Sequence, residues 1–398
     1  MRDVLRLGFI SSFLPKKCGI ATFSRDLMSG INYNLPNSKI VVAAAEKDSE
    51  SYDYSEVVVS TLKTNSKSSY RETAKIFNRL GLDAVMLQHE FGLFGGKRSK
   101  FVQDNVQHDD PTGDNIFELI DNLDSKIIST FHTILPYPDP ARKEVTRRIA
   151  ERSAMVITMS QDSKRILCTD YQIAESKIAV IPHGVPKKVE KDREELLKEL
   201  SLDPNNFYLV ITGLINANKG IDLVIKALPK ILEKHPNVKL LVVGQTHPQV
   251  LANEGEGYRE YLITLAKKLK VQSAITYVNK YLETEELMKY ISVADIYLTP
   301  HRDPEQSASG TLAYAVGTDR LTISTPYRYA QELLGENRGL LVSFEDPISI
   351  ACAINRLIDD KDLQEKTRKS LKVYSSKMAW PVVGRAYLKI IEDYVIKP

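Results

Sequence analysis

Ile296-Tyr297-Leu298-Thr299-Pro300, then Glu305-Gln306-Ser307-Ala308-Ser309-Gly310-Thr311-Leu312, then Ala313-Tyr314-Ala315-Val316-Gly317 form a continuous passage from an apolar run, through small residues, into a helix-like segment. That order predicts a buried strand feeding a helix. The first amides of a helix lack intrahelical acceptors and sit at the positive end of its dipole, so such a junction favours an anion, typically a phosphate. A second stretch, Gly213-Leu214-Ile215-Asn216-Ala217-Asn218-Lys219-Gly220, also follows an apolar run and places a cation ahead of a predicted helix beginning Ile221-Asp222. The pair suggests a site for a ligand carrying a diphosphate.

Similar short apolar runs recur along the chain. They lie at 5–10, 39–45, 84–89, 126–131, 154–159 and 178–181 in the first half, and at 208–212, 239–243, 275–279, 294–299, 321–324 and 339–343 in the second. Many are continuously apolar and β-branched, as strands buried on both faces should be. Longer amphipathic segments alternate with them, which implies parallel sheets with helical crossovers. The segment 185–206 carries Pro186, a charge run over Lys187–Lys198 and Asp203-Pro204, and reads as a linker containing a solvated helix. The fold expected is α/β, with two doubly wound, Rossmann-like domains at 1–186 and 187–379. Residues 380–398 carry Tyr387, Ile390, Ile391, Tyr394 and Val395 at helical spacing and are expected to form a terminal helix packing back on the first domain. The polar stretch 97–115 has no clear period and reads as a mobile insertion or lid.

The length of 398 residues also exceeds what one core usually supports. The formal net charge is only +3, without the clustered basic face that nucleic acid would require. Cys18, Cys168 and Cys352 are far apart and odd in number, so neither a disulfide framework nor a zinc site is expected. No run approaches the ~20 apolar residues that span a bilayer, and no signal-peptide pattern is evident. A cytoplasmic location is expected, with peripheral contact at the inner membrane face left open.

In open α/β sheets ligands bind beyond the carboxyl ends of the strands. Here those ends carry His89-Glu90, His132 and His183-Gly184 in the first half, and Gly213, Gly244, Asn279 and His301 in the second. Gly19, after Pro15-Lys16-Lys17-Cys18, stands where a phosphate or acceptor loop would sit. Several motifs are missing: no GxGxxG follows a strand, and neither GxSxG nor HExxH occurs. Gly92-Leu93-Phe94-Gly95-Gly96-Lys97-Arg98 is one residue short of a Walker A loop and lacks its Ser/Thr. The acidic pair Asp109-Asp110 lies away from any strand end and is not read as a metal site.

These residues together resemble a retaining glycosyltransferase of family 4, with a GT-B fold of two facing domains and an interdomain cleft. The resemblance covers essentially the whole chain. It rests on Cys18-Gly19-Ile20-Ala21-Thr22-Phe23, Phe131-His132-Thr133, Ile181-Pro182-His183-Gly184-Val185, Gly213 with Lys219-Gly220, and Ser309-Gly310-Thr311. Gly244-Gln245-Thr246-His247-Pro248, the continuation Leu312-Ala313-Tyr314-Ala315, and Ser324-Thr325-Pro326-Tyr327 are similar to a mannosyltransferase-like subgroup.

The resemblance implies that Lys219 contacts a donor diphosphate cradled by Ser309, Gly310 and Thr311, with Gly213 and Gly19 beside it. His132 would lie near the transferred sugar, Glu305 on its hydroxyls, and the nucleobase near Asn279. The donor would be a nucleoside diphosphate sugar, GDP-mannose favoured, and the acceptor a glycan or lipid-linked sugar, with no cofactor and no metal. Two departures stand out. Eight positions after Glu305, where the family carries a second glutamate, is Ala313, and the arginine expected after Gly213 is Leu214. Arg302, Lys280 and Arg328 are candidates to replace that missing cation. A GT-B phosphorylase, a nucleotide-sugar epimerase and a noncatalytic partner of the same fold are the alternative readings.

Overall fold

The computed structural model describes residues 4–103 and 106–397. The side chains of 101–110 and of residue 249, and with them the Asp109-Asp110 pair, lie outside that description. The chain forms two compact units, Met1–Gly184 with Trp380–Pro398, and Val185–Ala379.

The first unit contains β1 (Arg6–Ser11), β2 (Lys39–Glu46), β3 (Val58–Lys63), β4 (Ala84–His89), β5 (Arg98–Gln103), β6 (Val106–Pro111), β7 (Lys126–Phe131), β8 (Ser153–Thr158) and β9 (Ile178–Val180). Seven of these make one parallel sheet in the order β3-β2-β1-β4-β7-β8-β9. β4 is buried along its whole length, which explains its unbroken apolar sequence. β3 is an edge strand and mostly half-exposed. Its mixed sequence Val58-Val59-Ser60-Thr61-Leu62-Lys63 follows from that position, and the apolar-run reading missed it. The stretch 97–115, read as a mobile insertion or lid without a clear period, contains β5 and β6, which pair antiparallel.

The second unit contains β10 (Phe207–Thr212), β11 (Val238–Val243), β12 (Ile275–Val278), β13 (Ile296–Thr299), β14 (Thr322–Ser324) and β15 (Leu340–Leu341). They form a parallel sheet in the order β12-β11-β10-β13-β14-β15. Helices cover its core, among them Ile221–Leu232 and Pro347–Asp359, whose Val224, Leu228, Ile350 and Ile354 are fully buried. The charged segment 185–206 contains a short helix, Arg193–Glu199, capped by the Asp192 carboxylate on the Glu195 amide. In each sheet the strand order reverses once, between β1 and β4 and between β10 and β13, and that reversal opens the crevice where a ligand can sit.

The terminal helix Trp380–Ile391 completes the first unit by packing on the helix Gly19–Asn34. The two cross at glycines. A Cβ added at Gly384 would lie 2.3 Å from the Gly30 carbonyl, and one at Gly30 would lie 2.3 Å from the Trp380 oxygen. Asn34 donates to the Pro381 carbonyl at 2.7 Å, and Tyr387 meets the Thr130 hydroxyl on β7 at 3.1 Å. Because backbone atoms cannot yield as a side chain can, Gly384→Ala is expected to destabilise this unit by about 1–3 kcal/mol, read as a lower urea midpoint. An unchanged midpoint would show that the helices separate without cost.

Candidate active site

The crevice of the second unit is built from loops after β10, β11 and β13. Gly213 follows β10 with φ +123°, and a Cβ there would meet Lys219 Nζ at 3.6 Å and Thr311 Cγ2 at 3.8 Å. Gly213, Lys219 and the start of the helix Gly310–Gly317 therefore converge within a few ångströms, although they are far apart in sequence. Gly244, after β11, has φ +140°, and a Cβ there would lie 1.9 Å from the Gly213 oxygen. No residue but glycine fits at Gly244, so the loop backbones abut directly. Arg259, buried, donates to the Gly244 carbonyl at 2.9 Å and clamps the turn from behind.

Ser309 caps the helix by accepting from the Leu312 amide at 3.3 Å. Gly310 and Thr311 occupy the first two helical positions, whose amides have no intrahelical acceptor. Facing them, Lys219 has no carboxylate partner among the described residues. Desolvation pulls its ammonium down to about 8. Its hydrogen-bond partner is His301, whose Nε2 lies 3.3 Å from Nζ. His301 is buried, stacked on Tyr327 at 5.1 Å between ring centres, and held by burial well below the ordinary imidazole range.

The other expected residues fall differently. Asn279 is exposed after β12, and its side chain bonds Glu256. Glu256 also accepts from Thr246 and from Arg259 Nε, the latter at 3.1 Å. Glu305 is tied to Arg328 in an ion pair. None of the three cations considered as substitutes at the Leu214 position is unpaired: Arg302 binds Asp222 at 2.9 Å and Glu345 at 2.6 Å, Lys280 binds Glu286, and Arg328 binds Glu305.

In the first unit Gly19 begins the helix Gly19–Asn34, and an added Cβ there would meet nothing within 4 Å. Its place on an open face is therefore not dictated by packing. His132, after β7, donates from Nε2 to Gln88 Oε1 at 2.9 Å, which leaves Nδ1 as an acceptor. Phe23 packs edge-on against His132, His183 and Trp380, with ring centres 4.8, 5.2 and 5.1 Å away. Beside His132, Glu90 accepts from the Thr133 hydroxyl at 2.7 Å and the Phe91 amide at 2.9 Å, and burial pushes its carboxyl up to about 7. Glu90 was visible only as a strand-end residue; its desolvation was not. Among the described residues there is no cluster of three or more His, Cys, Asp or Glu side chains able to hold a metal, and no helix is long and apolar enough to cross a membrane.

Burial holds His89 and His132 down to about 3 and His183 to about 4. The unfolded chain protonates these imidazoles below about pH 6.5 while the folded unit does not, so stability present above that pH is lost on acidification. Between pH 7 and pH 5 each such histidine withdraws about 2 kcal/mol. His89→Leu should shrink the difference in unfolding free energy between those pH values by that amount. An unaltered pH slope, measured by urea unfolding, would contradict a neutral buried His89.

Residues 110–188 match the family described as Glycosyltransferase Family 4, and residues 192–375 match Glycosyl transferases group 1. An uncharacterized glycosyltransferase of Methanocaldococcus jannaschii is 25% identical over 246 residues, covering 60% of each chain. The chain spans less than two thirds of the curated relatives it matches first. A glycosyltransferase from Rickettsia africae superposes with TM-score 0.74 at 15% identity, covering 100% of both chains. Anabaena HepE, solved with UDP and glucose, gives TM-score 0.70 at 13% identity, covering 98% of this chain and 100% of its own. Its two parallel-sheet units and its likeness to these solved structures give the chain a two-domain, Rossmann-like GT-B fold, within which two separate segments match glycosyltransferase family models.

Proposed function

We propose that the protein transfers a hexose, with retention, from a nucleoside diphosphate sugar to a hydroxyl of a glycan or lipid-linked acceptor. One observation carries this reading: a desolvated lysine without a carboxylate partner faces the first turn of a helix across a glycine that leaves the space open. That arrangement suits a diphosphate, whose charge grows as the sugar departs. The bond from the anomeric carbon to the diphosphate oxygen breaks, and a bond to the acceptor oxygen forms on the same face. The acceptor proton passes to a diphosphate oxygen. Lys219 and the amides of Gly310 and Thr311 stabilise the leaving group, and being fixed beforehand they reorganise little.

In this reading Asn279 lies on the nucleobase side, Glu305 meets sugar hydroxyls from its pair with Arg328, and Gly19 lines the phosphate side of the first unit. The neutral His132 offers Nδ1 to a sugar hydroxyl. The resemblance to mannosyltransferase-like proteins makes GDP-mannose the first donor to try. The HepE structure with UDP and glucose makes UDP-glucose the second. The charge stabilisation is supplied by protein groups, so turnover should be unchanged by EDTA.

The test is a melting-temperature panel of GDP-mannose, GDP, UDP-glucose, UDP and inorganic phosphate. A ligand at 100 times its Kd stabilises by about 2.7 kcal/mol, enough to raise the melting point clearly. One nucleotide family should do so, and with that donor Lys219→Ala should lower kcat on the order of 100-fold. A flat panel would overturn the donor site, and a response to phosphate alone would favour a phosphorylase.

A further inference from the structure

His301 and Gln306 have no place in the reaction just described, yet they supply the hydrogen-bond partner of its central cation. The Gln306 amide nitrogen donates to the Ala308 carbonyl at 2.8 Å, which fixes its Oε1 toward His301 Nδ1 at 2.9 Å. Nδ1 must then carry the ring proton, and Nε2 is left as an acceptor toward Lys219. The ring itself cannot turn freely. It stacks on buried Tyr327 with 12° between planes, its amide donates to the Thr299 carbonyl at 2.8 Å, and its carbonyl accepts from Thr325.

A lysine held by a carboxylate would be well placed but neutralised. Arg302, the next residue, shows that outcome, with its guanidinium spread over Asp222 and Glu345. An imidazole in its neutral form accepts from the ammonium and cancels none of its charge. The groups facing Lys219 follow the same rule. They are His301 after β13, His247 after β11, Gly213 after β10 and Thr311 at the helix start, while the nearby charges of Arg302, Asp222 and Glu345 are engaged with one another. His247 is itself lowered by desolvation and by the charge on Lys219.

We propose that Gln306 and His301 form a tautomer-fixed relay that positions Lys219 for an anionic ligand while leaving its positive charge uncompensated. His301 is thus a positioning residue acting through Lys219. The inference rests on the donor-site reading above and adds the device that holds its cation.

Two measurements separate the inference from that reading. The first is binding of UDP and GDP by calorimetry from pH 7 to pH 9, a window in which the terminal phosphate, with its last pKa near about 6, is already ionised. Wild-type affinity should fall up to tenfold per pH unit once Lys219 loses its proton, that is, above about pH 8. The second needs no nucleotide: the titration of Lys219 read from its competitive acylation rate across the same window.

His301→Phe keeps a ring to stack on Tyr327 but removes the acceptor. It should move the Lys219 titration to lower pH and weaken nucleotide binding at pH 8 on the order of tenfold, about one pKa unit. His301→Gln, whose amide oxygen reaches the position of Nε2, should restore most of both. His301→Glu should separate them: the Lys219 titration moves up, yet nucleotide binding weakens because the charge is cancelled. A merely structural role does not give opposite responses in the two measurements. If His301→Phe retains the wild-type titration, or if His301→Glu binds nucleotide as tightly as His301→Gln, the relay is overturned while the donor site stands. If wild type binds neither nucleotide but the titrations shift as stated, the relay stands and the donor reading falls.

Discussion

Desolvating an ammonium without a counter-charge is costly, and half-buried Lys219 in the crevice of the second unit has no carboxylate partner among the described residues. A desolvated lysine tends to give up its proton or find a carboxylate. Here the loops keep carboxylates away from Lys219 and commit Asp222 and Glu345 to Arg302. Gly244 abuts Gly213 directly, Arg259 clamps that turn from behind and Ser309 caps the helix, which together place Lys219 within a few ångströms of the helix start.

Much of this was legible along the chain because parallel sheets write themselves plainly. β4, β10, β11 and β13 are buried on both faces, and their continuous apolar sequences mark both the strands and the ends where ligands bind. Gly213, Lys219 and Ser309 to Thr311 could be found because each lies at such an end. β3 was not legible, since an edge strand needs no apolar run, and neither was the β5–β6 hairpin, whose pairing is satisfied within its own two strands.

What the sequence withheld was partnership. That Glu305 is spoken for by Arg328, that Arg302 is neutralised, and that Gln306 decides which nitrogen of His301 carries a proton are facts of tertiary contact between loops with no common period. The same holds in the first unit, where Phe23, His132, His183 and Trp380 come from four separate segments and meet around one ring. A histidine at a strand end can be counted from sequence; whether it is a proton acceptor, a donor or a neutral wall depends on neighbours that only folding supplies.

The crossing of Gly30 and Gly384 has a consequence for synthesis. The second unit is one uninterrupted segment, Val185–Ala379, whereas the first needs residues from both ends of the chain. On the ribosome, a nascent chain extended through Ala379 holds every residue of the second unit but presents the helix Gly19–Asn34 with its partner surface bare. That surface, which includes Phe23 beside Trp380 and Gly30 against Gly384, stays exposed until Trp380 to Ile391 emerge. The first unit can therefore be completed only after the whole of the second has been synthesised.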